Sequence, residues 1–374
     1  MKKIQLLSLI LLGVLYSGCA QSQKSKGTIV KDLYGEYKGK EVHLLTLTNK
    51  AGNVIKLTNY GARITWIEVP DKNGVKDNVT FGYDTFDETI KGDNTFGSTI
   101  GRYANRIAKG KFPIDGKEID LVPGNVRTVS HGGRVGWQGV VWDTEVLTGS
   151  KNPSVKFSYV SADMEAGFPG TMNVEVIYTW TDKNEIIMEY KCTTDKKTVL
   201  NITNHAYFNL HGAGNGDVLD HLLTMKASNY TPWDSIMIPT GEILPVKGTP
   251  FDFTTPHTIG ERINADNKQL KLGDGYDHNY VLDNKEKVDA IVYEPVSGRV
   301  LEVITDQPGI HLYTGNWLNG KRIGHGGKPY QRRSAICLEA HHYPDSPNHP
   351  NFPTTLLSPG ETFKSTTIYR FSVK

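Results

Sequence analysis

The sequence predicts an all-β protein built as one large β-sandwich. Three observations carry this. Apolar residues recur with a period of two along much of the chain. Dense turn signals separate those runs, and 38 glycines and 18 prolines supply them. Helical periodicity is scarce, and residues 259–270 form its best candidate. Many short strands with frequent turns fit a sandwich or a barrel. No Gly/Pro/Ser linker, composition shift or repeat divides the chain after its first residues, so 31–374 is expected as one domain.

The elements follow in order. Residues 42–47 and 54–58 read as strands joined by the turn Asn49-Lys50-Ala51-Gly52. Residues 64–69 form the next, closed by Asp71-Lys72-Asn73-Gly74. Asp115-Gly116 and Asp283-Asn284 mark further turns. Val155, Phe157 and Tyr159 alternate along another strand, and 300–305 is a later one. The clearest unit is a hairpin. Val174, Val176, Tyr178 and Trp180 share one face, the turn Asp182-Lys183-Asn184 follows, and Ile186, Met188, Tyr190 and Cys192 continue that face.

Composition bounds the function. The chain has 374 residues, 38% of them hydrophobic and 10% aromatic, which is enough to fill a sizeable core. Its 42 basic and 40 acidic residues give a net charge of +2, so no basic face for nucleic acid is expected. No Cys/His cluster has zinc-ligand spacing and no calcium loop is present, so no metal is expected.

The first residues read as a targeting segment. Lys2 and Lys3 precede an apolar stretch over 4–16, too short for a membrane span of ~20 residues. Ser17, Gly18 and Cys19 then resemble a bacterial lipobox, with Tyr16 where leucine is usual. The resemblance implies cleavage of a signal peptide, residues 1–18, and lipidation of Cys19. An ordinary signal peptide with a chance cysteine is the alternative. The absence of Asp after Cys19 resembles outer-membrane sorting, so a periplasmic, lipid-anchored protein is expected. Residues 19–30 read as a polar tether. Cys192 and Cys337 are expected as buried free thiols.

Chemistry concentrates where polar residues interrupt strand-like runs. One such segment is 201–210. Read as a strand, it places Asn201, Thr203, His205 and Tyr207 on one face, a set that suits a sugar's hydroxyls and C–H groups. A satisfied polar strand is the plain alternative. Glu339 ends the apolar run 334–339, where poor solvation raises a carboxyl towards the working range of a general base. An exposed strand end is the plain alternative there.

Six motifs occur in a fixed order: Asn105-Arg106; His131-Gly132-Gly133; Asn204 to Leu210; Tyr276-Asp277-His278; Gln307-Pro308-Gly309 with Tyr313 to Asn316; and Leu338-Glu339 with Pro344-Asp345-Ser346-Pro347-Asn348. Together they resemble the aldose 1-epimerase, or galactose mutarotase, family, across essentially the whole mature chain. The resemblance implies an antiparallel sandwich, no cofactor, and a free monosaccharide as substrate. It implies Glu339 as the base at the anomeric hydroxyl and His205 as the acid at the ring oxygen. Arg106, His131 and Asp277 match substrate-binding positions, and Asn105 and Gln307 are further expected contacts. One departure stands out: His341 takes a position where the family usually has glutamine. Other readings stay open: a glycoside hydrolase using Asp277 and Glu339, a non-catalytic sugar-binding lipoprotein, and an epimerase of a sugar phosphate held by Arg102, Arg106, Arg127 and Arg134. The preferred sugar and the choice between monomer and homodimer are left open.

Overall fold

The computed structural model describes residues 27–124, 126–283 and 287–374. The expected signal peptide and Cys19 lie outside the described residues, as does Asn284 of one expected turn.

Three sheets dominate. The first holds Thr28–Tyr37, Lys40–Thr48, Val54–Thr58, Arg63–Pro70 and Lys76–Asn78, paired in sequence order. The second has nine strands, with the predicted hairpin as its third and fourth. The third pairs Leu244–Pro245, Asn229–Thr231, Asp277–Val281, Gly309–Tyr313 and Cys337–His341. The pairs within these sheets are antiparallel.

The hairpin shows why the sequence folds this way. Met172–Trp180 and Glu185–Thr194 pair with Val174 opposite Cys192, Val176 opposite Tyr190, Tyr178 opposite Met188 and Trp180 opposite Ile186. All eight side chains are buried, so one period-two pattern fixes the register and the inward face together. Residues of all three sheets meet in one apolar cluster, from Leu45 and Ile55 through Val176 and Met188 to Tyr280, Leu312 and Leu338. Polar atoms tie the layers too: the Trp180 indole donates to the Asn53 carbonyl at 2.9 Å, and the Tyr178 hydroxyl to that of Ala62 at 2.8 Å.

The turn residues act through their side chains. Asn49 Oδ1 accepts from the amides of Ala51 and Asn53, and Asp71 Oδ1 from those of Asn73 and Val75. These are the local bonds that favour Asn and Asp in turns.

Three expectations are corrected. The first strand starts at Thr28, inside the stretch read as tether, because pairing Ile29 with Leu47 gives its backbone partners. The helical candidate splits into Ile259–Arg262 and Lys268–Gly273, with Asn267 capping the second. Of the segment 201–210 only Thr203–Asn204 is strand, and both faces are covered, so a polar-outward alternation does not apply. Cys192 and Cys337 are buried free thiols, as expected.

Candidate active site

The third sheet builds one wall of a cavity. Asn279, His311 and Glu339 stand in a row across Asp277–Val281, Gly309–Tyr313 and Cys337–His341. Successive side chains alternate between faces. Tyr280, Ile310, Leu312, Leu338 and Ala340 therefore enter the apolar core, while Asp277, His311, Tyr313 and Glu339 line the cavity.

Two tight turns bring in the opposite wall. Asn105 and His131 both adopt positive φ, 63° and 49°, a region that Asn and His tolerate better than most residues. The His131 amide donates to the Asn105 carbonyl at 2.9 Å, and the Asn105 amide reaches His131 Nδ1 at 3.4 Å. Gly132 follows because a Cβ there would stand 2.1 Å from the Gly101 carbonyl oxygen. Arg106 projects next, its guanidinium 4.1 Å from the Trp233 ring centre and bonded to the Met237 carbonyl at 3.1 Å.

His205 directly follows the short strand Thr203–Asn204. Its amide donates to Ser98 O and its carbonyl accepts from Gly97, both at 2.9 Å, so the backbone is held on two sides. Its ring stacks on Tyr207 with centres 5.0 Å apart. His205 Nε2 lies 3.5 Å from Glu339 Oε1, close but too long for a strong hydrogen bond. Both side chains are almost fully buried, and Glu339 Oε2 and His205 Nδ1 have no hydrogen-bond partner.

The electrostatics separate two carboxylates. Burial, and then the Asp277 charge, push the Glu339 carboxyl well above the usual glutamate range, with Arg106 opposing them. Burial opposes ionisation of Asp277 as well. The 2.7 Å hydrogen bond from His311 Nε2, the positive potential there and Arg106 Nη2 at 3.8 Å outweigh it and hold Asp277 below the usual range. Burial, reinforced by His311, lowers His205 to about 3. Burial lowers His131 and His341 well below the ordinary histidine value. Burial therefore favours the uncharged form of each partner. A starting state with Glu339 ionised and His205 protonated is the tautomer of that uncharged pair. It has the same proton count.

A cavity of about 210 Å³ joins these groups, with Asp93, Thr95, Tyr207 and Trp317 completing the lining. This is below the ~300–1,000 Å³ usual for drug-sized ligands, and it suits one small polar ring. The aldose 1-epimerase family profile matches residues 43–370. The chain belongs to the aldose 1-epimerase family. It is 42% identical to a galactose mutarotase of Bos taurus over 321 residues, 85% of this chain and 91% of that one. It is 37% identical to an aldose 1-epimerase of Escherichia coli K12 over 339 residues, 89% of this chain and 96% of that one. A solved galactose 1-epimerase from Lactobacillus acidophilus superposes with a TM-score of 0.83 at 27% identity, covering 93% of this chain and 99% of that one.

The epimerase motifs converge unequally. Asn105, Arg106, His131, His205, Asp277 and Glu339 all line the cavity. Gln307 does not. Its amide nitrogen donates to Ser365 Oγ at 2.6 Å and its oxygen meets His342 Nδ1 at 2.9 Å. Arg102 is also turned away, its guanidinium occupied by the carbonyls of Pro169, Gly170 and Ser161. Sequence reasoning missed His311, Asp93, Thr95 and Trp317 as site residues. Period two from Gly309 could have found His311. The other three lie outside any regular pattern. His341, the departure from the family pattern, stacks beside His311 with ring centres 5.9 Å apart and does not line the cavity.

Among the described residues, two groups have metal-donor chemistry, with ligand atoms within 4.8 Å of one another: His131, His205 and Glu339, and separately His211, Asp220 and His221. In the second, His221 Nε2 accepts the Leu210 amide at 3.0 Å, so Nδ1 carries the proton and donates to Asp220. That tautomer makes the second group a hydrogen-bonded cluster with no free His221 lone pair for a cation.

Proposed function

We infer that this epimerase interconverts the α and β anomers of a free aldose, with Glu339 and His205 as its proton-transfer pair. The observation that carries the assignment is this buried pair, 3.5 Å apart in the cavity and short of polar partners. A bound sugar supplies what the pair lacks. Its C1 hydroxyl beside Glu339 favours the carboxylate, and its ring oxygen accepts a hydrogen bond from protonated His205.

The reaction then balances within the site. Glu339 takes the proton of the C1 hydroxyl as the C1–O5 bond breaks, and His205 gives its proton to O5. The open aldehyde turns about C1–C2. On closure O5 attacks the other face of C1, returning its proton to His205, while the new C1 oxygen recovers one from Glu339. Placed acid and base groups of this kind contribute roughly 10²–10⁴-fold. Arg106 and Asp277 hold the ring hydroxyls through charge-assisted bonds. One Arg faces Asp93, Asp277 and Glu339 in the lining, a balance that favours a neutral sugar over a phosphate.

The names of the galactose mutarotase relatives support D-galactose as a substrate, and the cavity's size suits D-glucose, another aldohexose, as well. Polarimetry on freshly dissolved α-D-galactose and α-D-glucose tests this. The expected result is a faster approach to the same final rotation. An unchanged rate with both sugars and with pentoses overturns it, and an altered final rotation points to another reaction.

We further propose export and lipid anchoring through Cys19, supported by the Lys2-Lys3 start, the apolar stretch and Ser17-Gly18-Cys19. Fatty-acid labelling of the full chain should disappear in Cys19→Ser; label retained there overturns the anchor.

A further inference from the structure

The Pro344-Asp345-Ser346-Pro347-Asn348 motif supplies no cavity residue. Its position explains why it accompanies the site. The strand Arg106–Ala108 is three residues long and pairs along one edge with Thr128–Ser130. So short a strand has little rigidity of its own. Its other edge meets Asp345, which is 1% exposed. The Asp345 amide donates to the Arg106 carbonyl at 2.9 Å, and Asp345 Oδ1 accepts the Ala108 amide at 2.9 Å. One residue thus plays the part of a neighbouring strand.

Asp345 is itself held. It adopts φ 58°, a left-handed conformation that Asp and Asn tolerate. Asn348 Nδ2 donates to Asp345 Oδ1 at 2.7 Å and to the Lys111 carbonyl at 2.9 Å. His349 Nε2 lies 3.3 Å from the other carboxylate oxygen. The same turn leaves the end of the strand that carries Glu339. On its way His342 exchanges bonds with Asn201, its amide to Asn201 Oδ1 at 3.0 Å and its carbonyl to Asn201 Nδ2 at 3.1 Å. The turn therefore spans from the Glu339 strand to the Arg106 strand.

We propose that Asp345 is a positioning residue for Arg106, fixing the guanidinium's base so that it meets the sugar at the distance Glu339 and His205 require. The proposal rests on the substrate-binding role given to Arg106 above. Arg106 contacts ring hydroxyls that do not react, so its interactions persist from ground state to transition state. Loosening it raises KM and leaves kcat nearly unchanged.

The test combines polarimetric kinetics with calorimetric binding of D-galactose to the full-length protein. Asp345→Ala should raise KM and Kd roughly tenfold, the worth of about one weakened charge-assisted bond. Its kcat should stay within about twofold. Asp345→Asn keeps the Oδ1 acceptor and the tolerated φ, and should remain near wild type. In an Arg106→Ala background the further change to Ala at 345 should cost almost nothing. Equal losses in both backgrounds, a fall in kcat at constant KM, or an Asn variant as damaged as Ala overturns the proposal. Should Asp345→Ala fail to fold, Asn348→Ala removes the donor that holds the carboxylate, and an unchanged KM there overturns it as well. If Arg106→Ala itself binds galactose like wild type, the reading of the cavity fails. If Arg106→Ala binds weakly and Asp345→Ala normally, only the positioning role fails.

Discussion

Two clusters in this molecule use the same residue types and reach opposite ends. One is His205 with Glu339 in the cavity. The other is His211, Asp220, His221 and Glu294 at a distance from it. In the second, Asp220 Oδ1 meets His211 Nε2 at 2.9 Å and His221 Nδ1 at 3.0 Å, and Glu294 lies 3.4 Å from the other His211 nitrogen. Glu294 also accepts the amides of Val296 and Ser297. Charge there is matched by hydrogen bonds, and the bond from His221, against some burial and helped by His211, holds Asp220 well below the usual carboxylate range. In the cavity, Glu339 lacks such bonds and its carboxyl moves up instead. Burial without partners makes a group reactive; burial with partners makes it structural.

The largest effect should follow from Glu339→Gln. It removes the base at nearly constant shape, and turnover should fall by roughly 10²–10⁴-fold. The comparison adds a second expectation. A carboxyl whose folded pKa is raised contributes stability below its unfolded value of 4.5, and loses that contribution as pH rises through the folded value. The Gln variant, freed of this loss, should melt no lower than wild type at pH 8. A large drop in melting temperature would show that Glu339 is a structural group like Glu294.

His205→Asn should lose turnover on a similar scale, with galactose binding largely kept. Loss of affinity alone would make His205 a binding residue. This outcome bears on how the site was legible. Period two gave the inward face of the hairpin over 172–194, because Val174 to Trp180 and Ile186 to Cys192 alternate into the core. It failed at Asn201, where the side chain ties the Ala104 and His342 carbonyls inside the protein. Motif resemblance found six of the lining residues but also Gln307, which holds His342 and lies outside the lining. A motif marks what a fold needs, and cannot separate contact with substrate from support of the residue that makes it. Trp233 and Met237, which hold Arg106, sit 127 and more positions away in the chain, and no local pattern links them.

The pH profile sharpens the contrast further. In kcat/KM the alkaline limb reports loss of the pair's one proton from the free enzyme, so it should lie above the ordinary glutamate value. Asp277 raises Glu339 and Arg106 lowers it. Asp277→Asn should therefore move the limb to lower pH, and Arg106→Gln to higher pH, apart from any change in KM. Limbs that stay fixed in both variants would remove Glu339 as the titrating group. Folding responds to the histidines in the opposite sense. His205 and His278, lowered to about 3 by burial, contribute stability that is present above 6.5 and is lost as pH falls towards 3.

The smallest effect tests the satisfied cluster. Asp220→Asn leaves the shape but removes the charge shared by His211 and His221. Asp220 is about half exposed, so solvent screens part of the gain, and the cost should be only ~1 kcal/mol. Turnover should be unchanged. The sign with pH is fixed. A carboxyl with a depressed folded value contributes stability above its unfolded value of 3.8 and loses it as pH falls through the folded value. Wild type and variant should therefore differ in urea midpoint at pH 7 and converge as pH falls below 3.8. A difference that persists at the acid end would mean that packing, and not the ion pairs, holds this cluster, and the partnered half of the comparison would have to be explained without charge.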